Sequence, residues 1–510
     1  MEVNFQIYHH WRSKCVRKEE IMKYYVGIDI GTSSAKLTLI NGEGDLIKES
    51  SREYRLMEPQ AGWKEIDPET WMAAVAEAMR ELLRGEDAAQ VEAIGVTGQM
   101  HTVVVIGQDG RPLRPALMWN DTRTAGRVPE IKERIRQLPN VSYISNIIST
   151  GSPAMNLLWL KEQEPETFQK IRKFMIGPDY IVYQLTGSIQ TDFCEASTSS
   201  LLDLKKGEWS EEIRQLLDFP AAIYPDIRGT NEIAGTVSKE WTAWFGFRPG
   251  VKVIVGTGDN PAAAIATGCF AGRYPVLSLG TSGVLMFPRE TIDFDARGKN
   301  IMVSFDGEQM QILVQGVVQS CGSSMNWWMK DILQVKSFDK ETAADTAHLG
   351  EGSLLFYPHL VGDKTIYADA SLRGGFFGIG TETTRKEMTV AVMEGIAFGV
   401  RQLTEVMNIP KTALENLKIT GGGSRNEVWM QIFANVLNVK VEQLSAGAGA
   451  GYGIALSAAA AMGRMSMEQM ILRTVKTKKV FSPVQYNVKI YNKKYRTYLK
   501  IHDAMKQIFE

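Results

Sequence analysis

A strand–turn–strand unit occurs twice in this chain, and its two copies lie half the chain apart. The first runs along an apolar, β-branched-rich segment, Tyr24 to Ile28, turns at Asp29-Ile30-Gly31-Thr32-Ser33-Ser34, and returns over Ala35 to Asn41. The second runs over Val276 to Leu279, turns at Gly280-Thr281-Ser282-Gly283, and returns over Val284 to Phe287. The turn cores match, Ile30-Gly31-Thr32-Ser33 against Leu279-Gly280-Thr281-Ser282. A glycine-containing string follows each copy: Ile94-Gly95-Val96-Thr97-Gly98-Gln99 after the first, Ile419-Thr420-Gly421-Gly422-Gly423 after the second. Self-similarity at this spacing predicts two domains built alike, with a cleft between them. A length of 510 residues leaves room for both, since a domain usually holds about 100–200. The boundary is expected near Pro261 to Cys269, dividing 22–264 from 265–510. No Pro/Ser-rich linker marks it, so the halves are expected to pack closely, with ligands in the crevice between them.

The first hundred residues set the fold class. After the hairpin, Leu46 to Tyr54 reads as a third strand. Asp67-Pro68-Glu69-Thr70 reads as a helix N-cap with proline in the first turn, and Trp71, Val75, Met79, Leu82 and Leu83 recur at helical spacing. Val91 to Thr97 is a further buried strand. Strands, helix and strand in that order predict an α/β protein. Residues 1–21 show no signal-peptide core and no clean periodicity, and are expected to be either a disordered extension or the result of a start upstream of the real one at Met22.

Composition removes several function classes. A formal net charge of -1 gives no basic field for nucleic acid or an anionic membrane. No apolar run approaches the roughly 18 residues of a membrane span. Cys15, Cys194, Cys269 and Cys321 are scattered without a CxxC, as expected of reduced thiols in a cytoplasmic protein. Six histidines and no HExxH argue against a histidine–metal enzyme, and no GxxxxGK[ST] phosphate loop occurs.

What remains points to phosphate and a polyhydroxylated ligand. In Asp29-Ile30-Gly31-Thr32-Ser33-Ser34 a glycine turn lets backbone N–H groups approach phosphate oxygens, and hydroxyl side chains add donors. Asp29, ending a buried strand, needs water, a metal or a hydrogen-bond network, and magnesium beside a nucleotide would serve. An ordinary hairpin capped by aspartate is the competing reading, and the second copy at Gly280-Thr281-Ser282-Gly283 favours phosphate. Val255-Gly256-Thr257-Gly258-Asp259-Asn260-Pro261 places a carboxylate at a strand-to-helix junction. Asp259 there suits a base for phosphoryl transfer to an alcohol and Asn260 a hydroxyl contact; a helix-capping aspartate is the alternative. Gly98-Gln99-Met100-His101 offers polar groups around an apolar one, as a sugar's hydroxyl edges and C–H faces require. Trp119-Asn120-Asp121-Thr122-Arg123 is dense in donors and acceptors, and reads otherwise as a solvated loop. Gly421-Gly422-Gly423-Ser424-Arg425-Asn426 precedes a helix and admits a flat ligand such as a purine. Gly447 to Gly453 precedes an alanine-rich helix, as for tight helix packing.

Together these strings resemble the carbohydrate kinases named for their FGGY signature, over nearly everything after Met22. Gly375-Phe376-Phe377-Gly378-Ile379, Glu387-Met388 and Ala391-Val392-Met393-Glu394-Gly395 resemble the second signature of that family closely. The resemblance implies a duplicated actin/hexokinase-like (ribonuclease H-like) α/β fold and a cytoplasmic, ATP- and magnesium-dependent sugar kinase. The strings Gly98-Gln99-Met100-His101, Trp119-Asn120-Asp121 and Gly258-Asp259-Asn260 are similar to the branch acting on xylulose. By resemblance, Asp259 deprotonates the sugar hydroxyl, while Gln99, Met100, His101, Trp119, Asn120, Asp121 and Asn260 hold the sugar. Asp29 organises Mg2+, Thr32, Ser33, Gly280 and Thr281 face the ATP phosphates, and Gly422, Gly423 and Asn426 line the adenosine pocket. The partners implied are the sugar and ATP, with a homodimer as one candidate assembly and neither nucleic acid nor membrane.

The chain departs from the family pattern at Asn156, where lysine is usual, at Asp363-Lys364-Thr365-Ile366, where Glu-Arg-Thr-Pro is common, and at Thr102, where glycine usually follows Gly-Gln-Met-His. Thr102 bears on which sugar fits, so ribulose, gluconate, glycerol and erythrulose stand as alternatives. An NAD-dependent dehydrogenase is disfavoured, since the Gly447 to Gly453 run has Ile454 where a third glycine belongs and lies far from the first βαβ unit. A non-catalytic actin-like nucleotide binder would leave the sugar-facing strings and Asp259 without a purpose.

Overall fold

The computed structural model describes residues 23–509 except 336, 345, 446–448 and 464. The expectations for residues 1–21 and for Gly447 and Ala448 at the start of the glycine run therefore lie outside the described residues.

The first half builds on β1 (Tyr24–Ile30), β2 (Ser34–Asn41), β3 (Leu46–Glu53), helix α1 (Pro68–Leu82) and β4 (Val91–Gly98). Asp67 caps α1, its carboxylate accepting from the Glu69 N–H, and proline stands in the first turn. After an insertion of helices and short strands that includes α2 (Phe193–Thr198) come β5 (Ile233–Thr236), β6 (Lys252–Ile254), β7 (Thr257–Gly258) and α3 (Asp259–Ala266). These strands form a seven-stranded sheet in the order β5-β6-β4-β1-β2-β3, with β7 paired to β4.

The second half repeats the plan. Strands β8 (Val276–Leu279), β9 (Gly283–Arg289), β10 (Lys299–Ser304) and β11 (Met310–Val318) precede α4 (Arg385–Val406), β12 (Leu417–Thr420), α5 (Glu427–Leu437), β13 (Val441–Leu444), α6 (Ala450–Ala461) and β14 (Thr477–Phe481). The second seven-stranded sheet runs β10-β11-β9-β8-β12-β13-β14. In each half a hairpin (β1–β2, β8–β9) continues antiparallel on one side. On the other side stand two parallel strands (β4 and β6, β12 and β13) and an antiparallel edge strand (β5, β14). The duplication read from two short turns thus extends to whole sheets, and the fold is the expected α/β pair of like units.

Alternation along β1 decides what faces what. Val26, Ile28 and Ile30 join the core under α1, with Trp71, Val75 and Met79. Tyr25 faces the other way, into a cluster with Ala262, Ala266 and the alanines of α6. Gly27 shares that face: a Cβ on it would lie 1.8 Å from Gly451 O. A Cβ on Gly95 would lie 2.5 Å from Ile454 O, and one on Gly453 1.9 Å from Ala262 O. Helix α6, from the second half of the sequence, therefore rests backbone to backbone on β1, β4 and α3. Tight packing is what its glycines serve. The signature glycine Gly395 works alike in α4, where a Cβ would lie 2.1 Å from Phe356 O. A further buried cluster, with Met100, Cys194 and Ile265 from the first half and Met286, Ile301 and Leu313 from the second, joins the two halves. No helix among the described residues is long and apolar enough to cross a membrane.

Candidate active site

Three parallel strands deliver the central groups. In register, Asp29 on β1 stands beside Thr97 on β4, and Thr97 beside Thr257 on β7; Ile30, Gly98 and Gly258 align one step later. The carboxyl ends of β1, β4 and β7 thus bring together Asp29, the Gln99-Met100-His101 string and Asp259, where α/β sheets bind ligands. Asp29 lies inside β1 rather than in the turn, because its pairing with Lys36 and Thr97 continues the ladder to Ile30. It points, like Gly27, to the face covered by α6: a Cβ on Gly451 would lie 3.6 Å from the Asp29 Cβ.

Asp259 opens α3, with Gly258 as its N-cap. Gly258 is hemmed in, since a Cβ there would meet Met100 Cγ at 2.6 Å and Cys194 Sγ and Glu195 Oε1 at 3.0 Å. Burial, then the field of Asp29, pushes the Asp259 carboxyl up to about 7, against the Asn260 N–H and Lys299, which favour the charge. Burial likewise raises Asp29 to about 6, with Lys36 opposing. Asp192, the N-cap of α2, Glu195 within α2, and Asp179, in the first turn of the helix Gly177–Thr186, are buried acids that the sequence does not single out. Burial raises Asp179 to about 8 and Asp192 to about 6, and holds Glu195 well above the carboxylate range.

Of the residues expected at the sugar, Met100 and Asn260 meet beside Asp259. Asn260 Nδ2 lies 3.3 Å from Met100 Sδ. Gln99 is buried, and its Oε1 has no partner; the same holds for Asn120 Oδ1 and Thr102 Oγ1. His101 takes a left-handed backbone (φ 72°), unusual for a residue other than glycine, and its N–H reaches Glu195 Oε2 at 3.4 Å. Trp119, 41% exposed, donates its indole N–H to Thr32 Oγ1 at 3.1 Å, tying the 119–121 loop to the β1–β2 turn. Asp121 is otherwise engaged. It accepts from the Lys64 N–H at 2.7 Å and from the Arg123 N–H and Nε at 2.8 and 2.9 Å. The Arg123 guanidinium lies over the rings of Trp63 and Trp159.

The two repeated turns have exposed tips at Ser33 and at Gly280-Thr281. The second is buttressed from behind, as the Gly322 and Ser323 N–H groups donate to Gly280 O (3.0 Å) and Thr281 O (2.9 Å). Strand β12 runs parallel beside β8, so Gly421-Gly422-Gly423 arrives next to that turn. Gly421 (φ 90°) and Gly423 press on Leu279, where a Cβ would meet Leu279 atoms at 2.7 and 2.9 Å; Gly422 has nothing within 4 Å. Asn426 caps α5: its Oδ1 accepts from the Trp429 N–H at 2.9 Å and its Nδ2 donates to Thr342 Oγ1 at 2.6 Å.

Lys299, on β10 of the second sheet, was also not singled out, and its ammonium lies 2.6 Å from His101 Nε2. No local string signals such a partner, because the contact forms between the halves.

Comparison with known proteins identifies the family. The pattern described as the N-terminal domain of the FGGY family of carbohydrate kinases matches residues 24–266, and that of the C-terminal domain matches residues 276–462. The chain is 31% identical to the xylulose kinase of Staphylococcus xylosus over 486 residues, covering 94% of this chain and 100% of that one. It is also 31% identical to the xylulose kinase of Bacillus subtilis over 491 residues, covering 96% and 98%. A ligand-bound xylulose kinase from Lactobacillus acidophilus shares the fold with a TM-score of 0.83 at 25% identity, covering 96% and 99%.

Proposed function

The chain belongs to the FGGY family of carbohydrate kinases, and on that premise we propose that it transfers the γ-phosphoryl group of ATP to the O5 hydroxyl of D-xylulose. The observation that carries this reading is the meeting of Asp259, Asp29 and the Gln99-Met100-His101 string at the carboxyl ends of three adjacent parallel strands.

Asp259 takes the proton of the attacking hydroxyl while that oxygen bonds to the γ-phosphorus. The bond to the bridging oxygen breaks, and ADP leaves with its electron pair. A carboxyl held near 7 suits a general base at neutral pH. The enclosed acceptors Gln99 Oε1 and Asn120 Oδ1 take hydroxyl donors of the sugar, and Met100 meets its C–H face. Asn260, joined to Met100, orients a neighbouring hydroxyl. The turns at Thr32-Ser33 and Gly280-Thr281 receive the phosphates, and Gly422-Gly423 the adenosine. Asn426 acts there by capping α5 and fixing the loop before it.

Asp29 fits a magnesium ion. Its carboxyl is pushed up to about 6 by burial, a cost that a cation would relieve. No group of three or more His, Cys, Asp or Glu side chains that could hold a metal occurs among the described residues. Magnesium does not need such a cage, because it keeps waters and substrate phosphates as ligands. When bound, it neutralises charge on the phosphates.

The product decides the reading. Incubation with magnesium-ATP and D-xylulose, followed by 31P and 13C NMR, is expected to show a phosphate ester at C5. An ester at another carbon, or none, would contradict it. Turnover on a different sugar in a panel would keep the kinase and replace the sugar, with Thr102 as the first residue to examine.

A further inference from the structure

The sugar side of the site contains one contact that the reaction as described leaves unused. Lys299 reaches across from β10 to His101, with Nζ and Nε2 2.6 Å apart. Strand β10 is itself fixed to the first half, where the Met302 N–H donates to Ser197 Oγ on α2 at 3.0 Å. Burial lowers the Lys299 pKa, opposed first by Cys194 and then by Glu195 and Asp259; as an ammonium it has donors only, and Nε2 is then the acceptor. A neutral imidazole that accepts at one nitrogen carries its proton on the other. Burial and the nearby Lys299 charge hold His101 well below the usual histidine range, so the ring is neutral. Its Nδ1 is enclosed and has no partner. The left-handed backbone at His101 and the Glu195 contact fix where the ring starts from.

We propose that Lys299 is a positioning residue for the reaction: by donating to His101 Nε2 it fixes the ring as the Nδ1–H tautomer and gives the sugar site a neutral N–H donor for a hydroxyl or carbonyl oxygen. The proposal rests on the reading of His101 as a sugar contact. It adds that recognition in the first half is completed by a side chain from the second sheet. It also gives the tautomer a cause, since without the ammonium the ring is free to carry its proton on Nε2.

The test uses the full-length protein labelled with 15N-histidine, with the His101 signals assigned through His101→Gln. Long-range 1H–15N correlation of the sugar-free wild type is expected to show the neutral Nδ1–H pattern for His101. In Lys299→Met that pattern is expected to move toward Nε2–H. The KM for D-xylulose is expected to rise about 10-fold, with kcat and the KM for ATP changing far less. Lys299→Arg, which keeps a donor, is expected to restore the tautomer and most of the sugar affinity. A wild-type ring in the Nε2–H form overturns the proposal whether or not the variants fold. So does a Lys299→Met protein whose tautomer and sugar KM match the wild type. An Nδ1–H ring in a protein that phosphorylates no sugar would instead overturn the kinase reading and leave the Lys299–His101 link standing.

Discussion

The indole N–H of Trp119 donates to the hydroxyl of Thr32 at 3.1 Å, so a loop expected at the sugar is latched to a turn expected at the phosphates. The ring is 41% exposed and contributes little to the core. Trp119→Phe keeps an aromatic surface and removes the donor. A single hydrogen bond is worth about 0.5–1.5 kcal/mol net, so steady-state kinetics are expected to show kcat/KM for the sugar falling about 3- to 10-fold. Thermal unfolding is expected to be almost unchanged. A large loss of stability would show that the contact serves folding instead.

The pH dependence of turnover follows from Asp259. The base works as the carboxylate, and burial with the field of Asp29 pushes its pKa up to about 7. The kcat/KM for the sugar is therefore expected to fall on an acid limb at or below about 7, since magnesium at Asp29 offsets that carboxylate's field, and to level off above it. An acid limb near the ordinary aspartate value, about 4, would mean that the free enzyme does not hold this carboxyl in a raised state.

The same carboxyl costs stability. A group whose pKa rises on folding destabilises the protein wherever it is ionised. The cost is full above the folded-state value near 7, fades as pH falls, and is gone below the unfolded value of about 4. Asp259→Asn is expected to unfold at a higher temperature than the wild type at pH 8, with the gap closing toward pH 5, while kinase activity is lost. Equal melting temperatures at both pH values would contradict the burial cost assigned to Asp259.

Two glycine substitutions separate packing from binding. Gly453→Ala would put a Cβ 1.9 Å from Ala262 O. Overpacking costs about 1–3 kcal/mol or more, which outweighs the roughly 1 kcal/mol that alanine gains in a helix. A drop of several degrees in melting temperature is expected. Gly422→Ala meets nothing within 4 Å. It is expected to leave the melting temperature alone and to raise the KM for ATP about 10-fold, because the new methyl stands where the purine is expected to lie. Loss of stability in Gly422→Ala, or unchanged ATP affinity, would move the adenosine site elsewhere.

Much of the fold was legible because its signals are local. The turns at Gly31 and Gly280, the Asp67-Pro68 cap and the strand-ending strings each announce an element within a few residues. The placement of Asp29 and Asp259 near the carboxyl ends of buried strands is legible for the same reason. The rest depends on what meets in space. Asp121 stands in a string rich in donors and acceptors, but its oxygens are taken by Lys64 and Arg123. Asn426 follows a glycine run, yet its side chain is committed to capping α5. Glu195 and Lys299 reach the site from α2 and from β10 of the second sheet, and no spacing in the sequence encodes that crossing.

The most direct test of the account is ADP release by the wild type and Asp259→Ala, with magnesium-ATP, with and without D-xylulose. The account requires release that the sugar stimulates strongly in the wild type and that falls by about 100-fold or more in the variant. Sugar-stimulated release that survives in Asp259→Ala would remove this carboxylate as the base, and release indifferent to any sugar would remove the kinase.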